Sequence, residues 1–172
     1  MKPQIELFLI EAYRWRMVRE EGGNNQGQIV RLFQEAVNGK AEGEPWCAGF
    51  VHFCLNAVNR QAAVYGGGEH KVRKSEWVKS IWENTMQEYK GLDPQRGCLA
   101  VWRSDGDNGH IGVVLDVYSD GRIRTLEGNT ESNETGNQRD GGGVYEKTRD
   151  PRLKIGNMTL VGYIYPWGRE VV

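Results

Sequence analysis

The residues best suited to chemistry in this chain are Cys47, His110 and the pair Glu127 and Asn129. Cys47 follows Glu44-Pro45-Trp46 and opens the apolar run Ala48-Gly49-Phe50-Val51, so a proline turn hands the chain to an amphipathic helix with a thiol at its N-terminus. Unpaired backbone N–H groups and the positive end of the macrodipole there favour the thiolate, the form that attacks carbonyls. Acyl transfer by a thiol also needs a base to take its proton and a polar group to orient that base. His110 opens the strand Gly109-His110-Ile111-Gly112-Val113-Val114. Ile111, Val113, Leu115 and Val117 share one apolar face, so His110 points the other way with Gly112, Val114 and Asp116, and Gly112 leaves room beside the imidazole. Glu127 and Asn129, two apart on a later strand, project to one side, and either can accept the imidazole N–H and hold the ring in the working tautomer. The Cys47 backbone N–H is the natural first donor of an oxyanion hole.

Other candidates carry less. His52 lies about 140° around the helix from Cys47 and should face elsewhere as a packing or surface residue. His70, in a glycine-rich loop, reads as solvated. Asp105-Gly106-Asp107-Asn108-Gly109 has the outline of a calcium loop, but His110 occupies the position that needs glycine and the bidentate glutamate is missing, so a turn between strands is expected and no metal. Ser104 lacks a nucleophile-elbow context. Trp46, adjoining the thiol, is a candidate for shaping a substrate groove, and Arg139, in the polar stretch Thr130–Gly143, for meeting substrate carboxylates. Trp102 reads as core or wall, and Arg103, Arg122 and Arg124 as solvated charge.

The elements that must position these groups change character along the chain. A first helix is expected from Gln4 to Arg19, ending at Gly22-Gly23. Asn24 or Asn25 can cap a second, bearing Ile29, Val30, Leu32, Phe33 and Val37 and closed by Asn38-Gly39. The Cys47 helix carries an apolar stripe of Phe50, Val51, Cys54, Leu55 and Val58, and after the Gly66–Lys74 loop Ser75 caps a helix with Trp77, Val78, Ile81 and Trp82. Strand periodicity then takes over, in Cys98–Arg103, His110–Tyr118, Arg122–Glu127, Val144–Arg149 and Leu160–Tyr165. Helices first and strands after predict an α+β domain, N-terminal helices packed on a mainly antiparallel sheet of about five or six strands.

Composition bounds the rest. The 172 residues suit one domain spanning 1–172. With 22 Lys+Arg against 23 Asp+Glu, no global field draws nucleic acid, and no segment reaches the length of a membrane span. Cys47 and Cys54 lie about 10 Å apart along one helix, out of disulfide reach, and Cys98 reads as a buried hydrophobe, so free thiols are expected. The N-terminal apolar stretch is interrupted by Glu6 and Glu11 and lacks a cleavage site, so a secretion signal is not expected.

Pro-Trp-Cys-Ala at a helix start, Gly-His-Ile-Gly-Val-Val, and Leu-Glu-Gly-Asn-Thr together resemble the CHAP family, the cysteine- and histidine-dependent amidohydrolases and peptidases. Glu21–Gly27 and Val161–Pro166 resemble that family's flanks, so the likeness runs in order along nearly the whole chain. It implies a papain-like fold and hydrolysis of an amide bond in bacterial peptidoglycan, as N-acetylmuramoyl-L-alanine amidase or as stem-peptide or cross-bridge endopeptidase, of the kind found in phage lysins, autolysins and secreted effectors. Carried over by position, Cys47 is nucleophile, His110 base, Glu127 the orienting acid and Asn129 an auxiliary polar group. No cofactor is implied. Ala41-Glu42-Gly43-Glu44 stands where some relatives carry an Asp-rich calcium loop, so no metal is carried over. Without a recognisable signal peptide, synthesis in the cytoplasm is expected, with action at the wall after release, injection or secretion and a delivery partner or an inhibitor or immunity protein as companions. Two other readings remain: an amidase on a small peptide or polyamine amide, and a catalytically inert virion or binding module.

Overall fold

The computed structural model describes residues 2–65, 67–132 and 142–170. Helix α1 (Pro3–Arg14) begins with proline in its first turn, where no N–H partner is needed, and buries Ile5, Phe8, Leu9 and Ala12. It stops short of the expected Arg19, because residues 18–20 are taken by a strand edge instead. The Val144 N–H donates to the Val18 carbonyl (2.9 Å) and the Glu20 N–H to that of Gly142 (2.9 Å). Helix α2 (Gln28–Asn38) buries Val30, Phe33, Gln34 and Val37 and is preceded by Gly27 rather than capped by Asn24 or Asn25; Gly39, at φ 81°, closes it. Helix α3 (Cys47–Tyr65) crosses α2 so closely that a Cβ on Gly49 would stand 2.5 Å from the Phe33 carbonyl oxygen. Helix α4 (Val78–Asn84) starts after Trp77, and Ser75 caps nothing in it, its Oγ accepting from the Trp77 N–H instead (3.1 Å).

The strands are β1 (Lys90–Gly91), β2 (Leu99–Arg103), β3 (Gly109–Val117), β4 (Ile123–Thr130), β5 (Gly143–Arg149) and β6 (Thr159–Ile164). They form one six-stranded antiparallel sheet in the order β1-β6-β2-β3-β4-β5. This is the α+β architecture expected of the sequence, with the N-terminal helices on the sheet. Ile111, Val113 and Leu115 face the helices as the alternation predicts, joining Leu99, Val101, Leu126 and Ile164 in the main core. A register shift between Val114 and Asp116 interrupts the pairing with β4, and Val117 reaches solvent. The opposite face has a smaller core of Ala100, Trp102, Val114, Ile123 and Tyr163, covered by Ile155 and Met158. Cys98 precedes β2; its Sγ accepts from the Gln95 N–H (3.3 Å) and burial pushes its pKa up to about 12.

The connection from α3 to α4 is latched by side-chain acceptors. Asn59 Oδ1 takes the His70 N–H (3.2 Å), His70 Nδ1 that of Val72 (3.2 Å), Thr85 Oγ1 that of Arg73 (3.1 Å) and His52 Nε2 that of Ser75 (3.4 Å). His70 is therefore half-buried rather than solvated. Burial, with the charges of His70 and Lys74, lowers the His52 pKa to about 3; burial lowers that of His70 to about 4. Both folded values lie below the ordinary 6.5, so their neutral rings contribute stability that is complete above pH 6.5 and is lost as pH falls through 4 and 3. Calorimetry should show stability declining below pH 6.5 by roughly 1.4 kcal/mol per pH unit for each histidine. A His52→Gln/His70→Gln variant should have a flatter acid limb, and an equally steep one would refute the assignment.

Candidate active site

Cys47 is the first residue of α3, where the Phe50 N–H reaching back to the Trp46 carbonyl (2.9 Å) closes the first helical turn. The thiol is free, is 6% exposed, and opens on a cavity of about 140 Å³ lined by Glu44, Pro45, Glu76, Trp77, Val78 and the Asp107–Gly109 turn. Cys54 and Cys98 are also free but enclosed, and burial raises the pKa of both thiols. Cys98 borders a pocket of only about 10 Å³, too small for a substrate, and Cys54 is fully buried.

His110 sits near the start of β3, opposite Trp102 of β2, with the two rings 6.0 Å apart. Its Nε2 is 2.9 Å from Glu127 Oε2, leaving Nδ1 for the Cys47 thiol. Burial disfavours a charged ring, but the hydrogen bonds and charges of Cys47 and Glu127 outweigh it and raise the His110 pKa to about 9. The site therefore holds His110 as an imidazolium beside the sulfur at neutral pH. Gly112 makes this possible in a way the strand pattern only half suggests. A Cβ there would lie 2.7 Å from Glu127 Cγ, so the room it leaves is filled by the carboxylate that orients the ring.

Glu127 is fully buried on β4 and saturated with donors. Besides His110 it accepts from Thr125 Oγ1 (2.6 Å to Oε1) and from the Arg149 fork (Nε 2.9 Å to Oε1, Nη2 2.6 Å to Oε2). Burial alone would push its pKa up; hydrogen bonds and charge from Arg149 and His110 prevail and hold it well below the usual carboxylate range. Arg149 and Thr125 were not legible as site residues. Thr125 shares the Glu127 face two residues upstream, and Arg149 stands two strands from His110 with no motif around it.

Asn129 is buried, but its backbone is left-handed (φ 54°) and the β4–β5 register shifts between Glu127 and Thr130. The two-residue alternation that would set it beside Glu127 is thus broken, and Glu127 alone takes the imidazole N–H. Asn tolerates that backbone better than most residues. Trp46 corrects the expectation of a groove residue. It is fully buried, stacked on Phe33 at 5.4 Å, with its Nε1–H donated to Glu20 Oε1 (2.9 Å), so it supports the helix start and offers no surface to a substrate. The exposed aromatic at the cavity is Trp77. Arg139 lies outside the described residues.

Asp107, in the calcium-like turn, pairs with Lys79 (2.8 Å). Among the described residues no group of His, Cys, Asp or Glu side chains is arranged to hold a metal ion, and no helix is long and apolar enough to cross a membrane.

Residues 39–129, over half of the chain, match the family model of the CHAP domain. No curated protein matches the chain, and no solved structure does. The match begins ahead of the turn into Cys47 and ends on Asn129, and so spans Cys47, His110 and Glu127. The chain belongs to the CHAP domain family, whose members are generally hydrolases.

Proposed function

We propose that the protein hydrolyses an amide bond of bacterial peptidoglycan through a covalent thioester on Cys47. The observation that supports this best is the line Cys47–His110–Glu127, with the ring fixed at 2.9 Å from a buried carboxylate and its other nitrogen toward a thiol at the cavity wall. The thiolate attacks the scissile carbonyl, forming the S–C bond and an oxyanion near the Cys47 backbone N–H. His110 gives its proton to the departing amine as the C–N bond breaks. The neutral imidazole then takes a proton from water, whose oxygen attacks the thioester, and the thiolate leaves. Carboxylic acid and amine are the products. The bond is that of an N-acetylmuramoyl-L-alanine amidase or of a stem-peptide or cross-bridge endopeptidase, reached after release, injection or secretion.

Purified sacculi incubated with the protein should release soluble muropeptides, and mass spectrometry should find either a new N-terminal alanine or a new internal peptide end. Intact sacculi after prolonged incubation would overturn the reading. One observation favours a second. The cavity is small, about 140 Å³, and carries the carboxylates of Glu44, Glu76 and Asp107, which suits a compact amide bearing an amine. The same preparation given small cationic peptide and polyamine amides separates the two, and inertness on every amide would mark a binding module.

A further inference from the structure

Arg149 lies outside the segment that matches the family, yet its guanidinium shares Glu127 Oε2 with the His110 ring. We propose that Arg149 is a positioning residue that frees His110 to act as base in the water step, by balancing the buried charge of Glu127. This deepens the hydrolase reading above and rests on it.

The three groups meet in a dry site. His110 is 1% exposed, Glu127 fully buried and Arg149 7% exposed, so water screens none of them. The titratable groups facing His110 are Cys47 on α3 and Glu127 on β4, with Trp102 of β2 uncharged beside it. Behind Glu127 stands Arg149, while Lys147, on the same strand β5, has its Nζ 5.8 Å from the centroid of the Tyr145 ring. Before substrate binds, the Cys47 sulfur and the Glu127 carboxylate together hold the proton on His110. Once the sulfur is acylated its support for that proton is gone, and Glu127 is the partner left to the ring. The neutral imidazole left by amine departure then faces a Glu127 carboxylate balanced by Arg149, and stays available to take a proton from water.

Without Arg149 that same imidazole would face a lone buried carboxylate. It would draw a proton from solvent to neutralise the pair, and a protonated ring cannot accept one from the attacking water. The geometry fits a role in fixing charge rather than mere packing. Arg149 meets both carboxylate oxygens of Glu127 in fork geometry, one of them the oxygen that His110 uses.

The test uses Arg149→Met, Arg149→Lys and the double variant Glu127→Gln/Arg149→Met. Without any substrate, iodoacetamide alkylation of Cys47 against pH reports the ionisation of the thiol–imidazole pair. Arg149→Met should move the alkaline limb of that profile up by at least about one pH unit, and Arg149→Lys should leave it in place. With substrate, intact-mass spectrometry should show the acyl-enzyme of Arg149→Met accumulating and decaying at least about tenfold more slowly near pH 7. The double variant buries no lone carboxylate, which protects its folding, and its limb should sit at or below the wild-type position. An unmoved limb in folded Arg149→Met, or a raised one in the double variant, overturns the proposal. A moved limb with no acyl-enzyme on any amide upholds the charge balance and overturns the hydrolase reading instead.

Discussion

Cys47→Ala should lower amide hydrolysis at least about 10⁴-fold with no change in the circular dichroism spectrum. The loss is large because the sulfur is the atom that bonds to the carbonyl, and no nearby group can replace it. Cys54 lies on the same helix but is enclosed, with a thiol made still less acidic by burial, and Cys98 is held under β2 by the Gln95 N–H. The structural cost is small, since the thiol is a compact side chain on the cavity wall, worth about 1 kcal/mol of packing at most. The variant also reports on the pair. Removing the sulfur removes the hydrogen bond and the negative charge that raise His110, so its pKa should fall from about 9, as NMR of the imidazole nitrogens would show. Retained hydrolysis, or an unchanged His110 titration, would refute the pairing.

The second large effect is on stability. Gly49→Ala should destabilise the fold by about 3 kcal/mol, which for a chain of this size lowers Tm by roughly 6–12 °C. The added methyl would stand 2.5 Å from the Phe33 carbonyl oxygen and 2.9 Å from its carbon, and backbone in a packed helix cannot swing aside as a side chain can. Either α2 and α3 separate or Phe33 shifts, and Phe33 is the hub on which Trp15, Trp46, Phe50 and Phe53 pack. Because Cys47 lies only two residues away, activity should fall with stability. Gly68→Ala is the matched control, with nothing within 4 Å of the added carbon. Equal melting of the two variants would show that the helix crossing is looser than drawn.

What could be read before the structure was what local spacing encodes. The α3 stripe and the β3 alternation needed only the periods of helix and strand, and they set Cys47 at a helix start and His110 on a strand, where the structure has them. The misreadings share a non-local cause. Val18 to Glu20 continue a helical pattern on paper but hydrogen-bond to the edge of β5, more than a hundred residues on. Trp46 sits beside the thiol in sequence, yet Phe33 and Glu20 draw it into the core. β1 has two residues, too short for any period to show. Arg149 is one basic residue among many until the sheet brings β5 beside β4 and sets it on Glu127.

The strand order carries a consequence for how the molecule is made. β6 lies between β1 and β2, so one edge of β2 stays unpaired until residues 159–164 have left the ribosome. Strands β2 to β5, which bear the imidazole and its carboxylate, are all translated before the strand that closes the sheet. A nascent chain thus passes through a stage with an open, apolar sheet edge, the kind of surface that chaperones cover and that self-associates when left bare. Slowing translation late in the message should therefore lower the soluble yield more than slowing it early.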